Sequence, residues 1–256
     1  MKTVYLDNNA TSKVADEVLQ AMLPYFSESY GNPSSMHTFG GRVGREIEQA
    51  RLQVAELLGA EPDEIVFTSC GTESDNAAIR SALAAQPEKK HIIISRVEHP
   101  AVRVLCDRLE TEGYRVTQLP VDKSGLLDLE LLEKSLTPET ALVSLMWGNN
   151  ETGVIFPVEE AAHLAHDKGA LFHTDAVQAA GKIPINMKNN LIDMLSLSGH
   201  KLHASKGVGV LYLRRGTKFT PLLVGGHQER GRRGGTENTP GIIGLGKACE
   251  LARKNL

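Results

Sequence analysis

The densest chemistry in the chain lies in Asp193-Met194-Leu195-Ser196-Leu197-Ser198-Gly199-His200-Lys201-Leu202-His203-Ala204-Ser205-Lys206-Gly207-Val208-Gly209. Its apolar first part reads as a buried strand that ends at Ser198. Open α/β sheets place their ligands just past such strand ends. A hydroxyl, a flexible glycine, an imidazole and an amine follow at once. Lys201 is the candidate nucleophile, because a lysine beside other cationic groups and an apolar strand can have a lowered pKa. Most lysines are simply solvated, so the case depends on what gathers at the other strand ends.

Four further strand ends carry candidate groups. Ile65-Val66-Phe67-Thr68-Ser69 runs into Cys70-Gly71-Thr72-Glu73-Ser74-Asp75-Asn76 and an alanine-rich helix. A strand, a small polar turn and a helix start build an anion site, since free N–H groups at a helix N-terminus face a phosphate. Thr72 adds a hydroxyl, although Thr72 or Ser74 can equally be a plain helix cap. After a second strand, Glu98-His99-Pro100 puts an imidazole where it can stack on a flat ring or shuttle protons; a surface histidine before a helix is the plainer reading. After a fourth, Asn149-Asn150-Glu151-Thr152-Gly153 offers paired amides for a polar ligand edge, or only a turn. After a fifth, His173-Thr174-Asp175-Ala176-Val177-Gln178 offers a carboxylate that can pair with a protonated ring nitrogen, or act only as an N-cap. Gln178 lies within reach of the same ligand. Together these supply a phosphate cradle, a ring-facing histidine, an amide, a pyridinium acid and a Schiff-base lysine, with Ser198 and His200 on the phosphate side. That inventory matches pyridoxal 5′-phosphate. A metal site is the rival reading of His163, His166, His173, His200 and His203, but no His-Glu-x-x-His or similarly compact ligand set occurs.

The elements that must position these groups alternate. Strands are predicted near Ile65–Thr68, His91–Ser95, Tyr114–Leu119, Ala141–Met146, Ala170–Thr174 and Asp193–Leu197, with helices between most of them. That pattern implies a mainly parallel sheet covered on both faces. A seventh strand, Val208–Leu213, follows the sixth after only about ten residues, too few for a parallel crossover, so it is expected to be antiparallel. Helices are also predicted over Ala15–Phe26, over Gly41–Leu58 with Gly59 as its cap, and over Pro240–Leu256. The chain has 256 residues, is 41% hydrophobic and 23% charged, and carries a net charge of −3, which gives no reason to expect nucleic acid or an acidic membrane as partner. No apolar run approaches membrane-span length, and the first residues lack the core of a signal peptide. Cys70, Cys106 and Cys249 form no disulfide framework or metal knuckle, so a reducing cytoplasm is expected.

The motifs Tyr5-Leu6-Asp7-Asn8-Asn9-Ala10-Thr11, Gly31-Asn32-Pro33-Ser34-Ser35, Gly71-Thr72-Glu73-Ser74-Asp75-Asn76, Glu98-His99-Pro100, Asn149-Asn150-Glu151-Thr152-Gly153, His173-Thr174-Asp175-Ala176-Val177-Gln178 and Ser198-Gly199-His200-Lys201 resemble those of cysteine desulfurases of the nitrogen-fixation (NifS-like) type. These are class V, fold-type I pyridoxal phosphate enzymes. The resemblance covers essentially the whole chain. It implies the large domain of a fold-type I transferase: an α/β fold with a seven-stranded, mainly parallel sheet, one antiparallel strand, and helices on both faces. It divides the chain into an N-terminal arm, 1–14, on the small-domain side, and a cofactor-binding large domain, 15–256, with the C-terminal small domain absent.

The resemblance also assigns roles. Lys201 would hold the cofactor and move the Cα proton. His99 would stack on the ring and assist proton transfer. Asp175 would pair with the ring nitrogen and Gln178 with the ring oxygen. Gly71, Thr72, Ser198 and His200 would hold the phosphate, and Asn150 would contact cofactor or substrate. In a homodimer, Thr236, within Arg232-Arg233-Gly234-Gly235-Thr236, would reach the cofactor phosphate of the partner subunit. The plainer reading of those arginines is a solvated basic loop, and Glu229 and Glu237 argue against a nucleic-acid patch. The implied reaction converts L-cysteine to L-alanine and passes sulfur on as an enzyme persulfide, to an iron–sulfur scaffold or other acceptor protein, for iron–sulfur (nitrogenase) cluster assembly.

The cysteines depart from the family pattern. The persulfide cysteine of the family lies on a mobile loop in the C-terminal part, and none of the three cysteines here matches it. The arginine that binds the substrate carboxylate also lies in that part. The 256 residues by themselves are therefore not expected to complete turnover. The alternatives are a truncated cofactor-binding or dimerisation remnant without sulfur transfer, or another class V activity such as selenocysteine lyase or aminotransferase.

Overall fold

The computed structural model describes residues 3–256. Seven strands, β1 Ile65–Thr68, β2 His91–Ser95, β3 Arg115–Leu119, β4 Thr140–Met146, β5 Leu171–Asp175, β6 Met194–Ser198 and β7 Gly209–Leu213, form one sheet in the order β1-β7-β6-β5-β4-β2-β3. All seven predicted strands are present, with small shifts at their ends. β7 runs antiparallel to both β6 and β1, as its short connection requires. The other pairings are parallel. The C-terminal ends of β1, β2, β4, β5 and β6 therefore share one edge of the sheet.

The strands alternate their side chains between two apolar layers. Ile93, Val143, Leu195, Leu197, Val210 and Tyr212 face one layer, and Ile92, Ile94, Leu142, Met194 and Leu211 the other. Period-two alternation with both faces apolar forces cover on both sides. The first layer is closed by α3 (Thr38–Leu58), α7 (Val158–Asp167) and α8 (Thr239–Asn255), through Val54, Leu58, Ala162 and Leu245. The second is closed by α4 (Gly71–Ala85) and α5 (Pro100–Thr111), through Ala78, Ile79, Ala82, Val102 and Leu105. Each of the Val, Leu, Ile and Met side chains among them contributes about 1.5–3 kcal/mol by leaving water.

Two predicted helices need correction. The stretch Ala15–Phe26 is two pieces, α1 Asp16–Met22 and α2 Pro24–Ser27. Pro24 has no N–H for the preceding turn, so the hydrogen-bond ladder breaks there. Helix α3 starts at Thr38 rather than Gly41, because His37 caps it: the Gly40 amide donates to His37 Nδ1 at 3.2 Å. A Cβ at Gly40 would lie 2.3 Å from the Asn32 carbonyl oxygen, so a glycine is required where the loop crosses the helix. Gly59 ends α3 in the left-handed conformation, φ 61°, as expected of a cap. The short α6, Leu129–Ser135, completes the helices.

One contact outside the site makes stability depend on pH. His166 Nε2 lies 2.8 Å from Asp193 Oδ2, which also accepts the Phe172 amide. The hydrogen bond to Asp193 raises the His166 pKa above its ordinary value. A raised histidine pKa stabilises the fold fully below the unfolded value, about 6.5, and that stability is lost as pH climbs through the folded value. The urea midpoint of the wild type is expected to fall over that window, and His166→Gln to abolish that part of the slope; equal slopes would refute the assignment.

Candidate active site

The strand ends build one cavity of about 410 Å³ at the shared edge, lined by Gly71, Thr72, His99, Asn150, Asp175, Gln178, Ser198, His200 and Lys201, among others. Nine of the ten residues singled out from the sequence thus come together. Thr236 does not. It is exposed, on a loop outside the cavity.

Each group is set by its own strand end. Cys70 precedes the first turn of α4, and Gly71 opens it with its amide at the cavity. A Cβ at Gly71 would sit 3.1 Å from Val177 Cγ2 and 3.4 Å from Ser198 Cβ, so the residue keeps this cradle open. His99 caps α5: the Ala101 amide donates to His99 Nδ1 at 3.1 Å. That bond turns the imidazole and leaves the proton to Nε2. The two asparagines divide their work. Asn149 Oδ1 accepts the Glu151 and Thr152 amides, both at 3.0 Å, and so shapes the turn, while Asn150 lines the cavity.

Asp175 ends β5 and is buried, with Oδ1 accepting the Val177 amide at 2.9 Å. Burial pushes its carboxyl up; the Val177 amide, His99 and Lys201 oppose that. Lys201 follows β6 in the short turn Gly199–Lys201. A Cβ at Gly199 would meet Val208 Cγ1 at 2.8 Å, so only glycine lets the chain double back against β7 there. Burial lowers the Lys201 pKa, with Asp175, Asp7 and Glu151 opposing. Burial, and then the cation of Lys201, lower that of His200.

The N-terminal arm supplies what the residue patterns did not assign. Asp7, Asn9 and Ala10 line the cavity. Lys201 Nζ donates to the Ala10 carbonyl at 2.8 Å and also to that of Asn9, and Gln178 Nε2 donates to Asn9 at 2.8 Å. Ser12 bonds the His200 carbonyl through both its amide and its hydroxyl, each at 2.8 Å, so the arm and the lysine turn hold each other. Asp75 also lines the cavity. Its signal was its place four residues after Gly71, on the same side of α4.

The remaining groups have local partners. Arg233, read above as part of a solvated loop, is half-buried and paired with Glu73, Nε to Oε1 at 3.0 Å. The histidines considered for a metal are dispersed: His173 bonds Ser144 and Ser196, His166 bonds Asp193, and His203 bonds the Lys13 carbonyl. Among the described residues no group of three or more His, Cys, Asp or Glu side chains is placed to hold a metal ion. None of their helices is long and apolar enough to cross a membrane. Cys106 and Cys249 are buried, which pushes both thiols up to about 12, while Cys70 is half-buried at the cavity.

An amine, a buried acid and a helix N-terminus at one edge of a mainly parallel sheet define an α/β domain of the cofactor-binding kind. Residues 4–256 match the class-V aminotransferase family, and the chain belongs to it. Enzymes of this family depend on pyridoxal 5′-phosphate. The chain is 66% identical over 256 residues to cysteine desulfurase 2 of Trichormus variabilis, covering all of this chain and 64% of that protein. It is 66% identical over 253 residues to cysteine desulfurase NifS of Azotobacter vinelandii, covering 98% of this chain and 63% of that protein. A solved NifS-like protein superimposes with a TM-score of 0.96 at 44% identity, covering 99% of this chain and 70% of that one. A structure of SspA in complex with cysteine gives 0.94 at 43% identity, covering 97% and 72%. The chain therefore spans about 64% of the length of the curated relatives it matches. The residues present fit the cofactor: the open space at Gly71 could take an anion, Asp175 could pair with a protonated ring nitrogen, and Lys201 could supply the amine.

Proposed function

We propose that the full-length protein is a cysteine desulfurase, releasing L-alanine from L-cysteine and passing the sulfur on as a persulfide. The observation that carries this reading is the convergence of Lys201, Asp175, His99 and the α4 N-terminus on one cavity. The names of the relatives narrow the substrate to cysteine. Pyridoxal phosphate, when bound, supplies an electron sink for the charge left at Cα.

The side chains then have distinct tasks. Lys201 would hold the cofactor through its amine and would move the Cα proton; its lowered pKa favours the neutral amine this needs. Asp175, as the carboxylate, accepts the ring N–H. Gln178 contacts the ring oxygen, and Asn150 the cofactor or substrate. His99, its orientation set by the Ala101 amide, would face the cofactor ring and assist proton transfer. The amides at Gly71 and Thr72, with Ser198 and His200, hold the phosphate. Thr236 serves the partner subunit's cofactor in a homodimer.

The sulfur-accepting thiol must be a reactive thiolate. Cys106 and Cys249 are too buried to serve. We assign that thiol to the part of the relatives that this chain does not span, together with the small domain; residues 1–14 form the arm on that side, and 15–256 the large domain. We further propose delivery to an iron–sulfur scaffold or other acceptor in the cytoplasm, for nitrogenase clusters; the likeness to a cysteine desulfurase named NifS supports that reading. The test is product analysis. The full-length protein with L-cysteine and a reductant is expected to yield alanine and sulfide in equal amounts. Pyruvate and ammonia, or an amino-group transfer product, would overturn the reading.

A further inference from the structure

The floor of the cavity holds a second carboxyl group for which the reading above has no task. Asp75 lines the same cavity as Asp175 and is 1% exposed. Its Oδ1 is buried without a hydrogen-bond partner. His173 Nε2 lies 3.6 Å away, but this imidazole is no counter-ion. It is fully buried, with Ser144 Oγ 2.8 Å from Nδ1 and Ser196 Oγ 2.9 Å from Nε2. Burial brings its pKa down to about 3, so it stays neutral.

The other groups acting on Asp75 are Asp175 on β5, Glu98 ahead of α5, Cys70 at the cap of α4, and the Ser196 hydroxyl on β6. β1 and β4 carry no ionisable side chain, and Tyr212 of β7 packs in the opposite layer. Asp75 thus faces acids and neutral groups, whereas Asp175 faces His99 and Lys201. Two carboxyls buried at one cavity, the charge of one acting on the other, do not both ionise, and the nearby cations decide which one does. Burial and the Asp175 charge push the Asp75 carboxyl well above the usual range.

We propose that Asp75 is the protonated member of a carboxyl pair with Asp175, a positioning residue that leaves Asp175 as the single charged acid available to the cofactor ring nitrogen. A second buried negative charge here would repel an anionic phosphate cofactor; the proton on Asp75 removes it. The inference rests on the cofactor reading above for its purpose, but not for the protonation itself.

The test has two arms, both in the full-length protein. Without cofactor at neutral pH, the infrared spectrum of ¹³C-aspartate-labelled protein is expected to show a label-shifted, buried protonated-carboxyl band, distinct from that of Glu98, that disappears in Asp75→Asn. With pyridoxal phosphate, Asp75→Asn exchanges one neutral group for another, so the cofactor Kd is expected to stay within about twofold. An ionised Asp75 would instead make that variant bind about tenfold or more tighter, since a charge effect of one pKa unit is a factor of ten. Absence of the band, or such tightening, overturns the proposal. A band present with no cofactor binding in either protein overturns the cofactor reading and leaves the carboxyl pair standing. Should Asp75→Asn not fold, Asp175→Asn is expected to retain the label-shifted band.

Discussion

Lys201→Ala is expected to abolish the visible absorption that pyridoxal phosphate develops on the full-length protein, and to lower alanine release from L-cysteine by at least about 10³-fold, within the 10²–10⁴-fold that a positioned acid–base group supplies. In the proposed reading the residue combines two tasks, carrying the cofactor and moving a proton, and among the described residues no other lysine lines the cavity. The loss should be chemical rather than structural. Lys201 sits in a short turn after β6, half-buried, and its Nζ bonds are to arm carbonyls. Unfolding midpoints should therefore change little. Lys201→Arg is the informative companion: it keeps the positive charge but cannot serve as the amine nucleophile. It is expected to be as inactive as the alanine variant. A Lys201→Ala protein that retains the visible band and its alanine release would mean that the amine is misassigned.

The second large effect lies away from the cavity. Arg51 on α3 and Glu229 form a bidentate pair, Nη1 to Oε2 at 2.7 Å and Nη2 to Oε1 at 2.9 Å. Both side chains are almost fully buried, at 4% and 3% exposure. Arg51 Nη1 also donates to the Ile65 carbonyl, and the Phe67 amide donates to Glu229 Oε2, so the pair clamps the loop to β1. Glu229 and Arg230 hold left-handed backbone, φ 48° and 59°, a conformation that needs such an anchor. Arg51→Ala or Glu229→Ala would each strand a buried charge, at a cost of about 3–5 kcal/mol. Replacing both by apolar residues of similar volume is expected to recover only part of that loss: the desolvation cost disappears with the charges, but the Ile65 carbonyl and the Phe67 amide lose their partners. Urea unfolding of the two single variants and the double variant reads this directly. Single losses below about 1 kcal/mol would place the pair with ordinary exposed bridges.

Much of the architecture is legible without coordinates, because it follows from local pattern. Short Ile/Val/Leu runs between helical stretches already imply a parallel sheet covered on both faces, and a ten-residue connection already implies that β7 runs the other way. The groups that ended up in the cavity were legible for the same reason: each stands just past a strand end, and parallel strands put those ends on one edge. Local chemistry misplaced only element limits, at Pro24 and at the His37 cap.

What escaped the sequence were the contacts between distant segments that a shared sheet edge does not bring together. The hold of the arm on Lys201 joins residues 191 positions apart, and the Arg51–Glu229 clamp joins residues 178 apart. Neither leaves a periodic trace, because the geometry that pairs such residues exists only after the sheet has formed. Asp75 reads as one polar residue of an amphipathic helix until α4 packs on β5 and β6. Only that packing puts its carboxyl at the same cavity as Asp175 and out of water. Residue types and spacing thus determined which chemical groups the chain brings to the edge of the sheet. Tertiary packing decided their burial, their partners and their charge, because desolvation and Coulomb coupling act through space rather than along the chain.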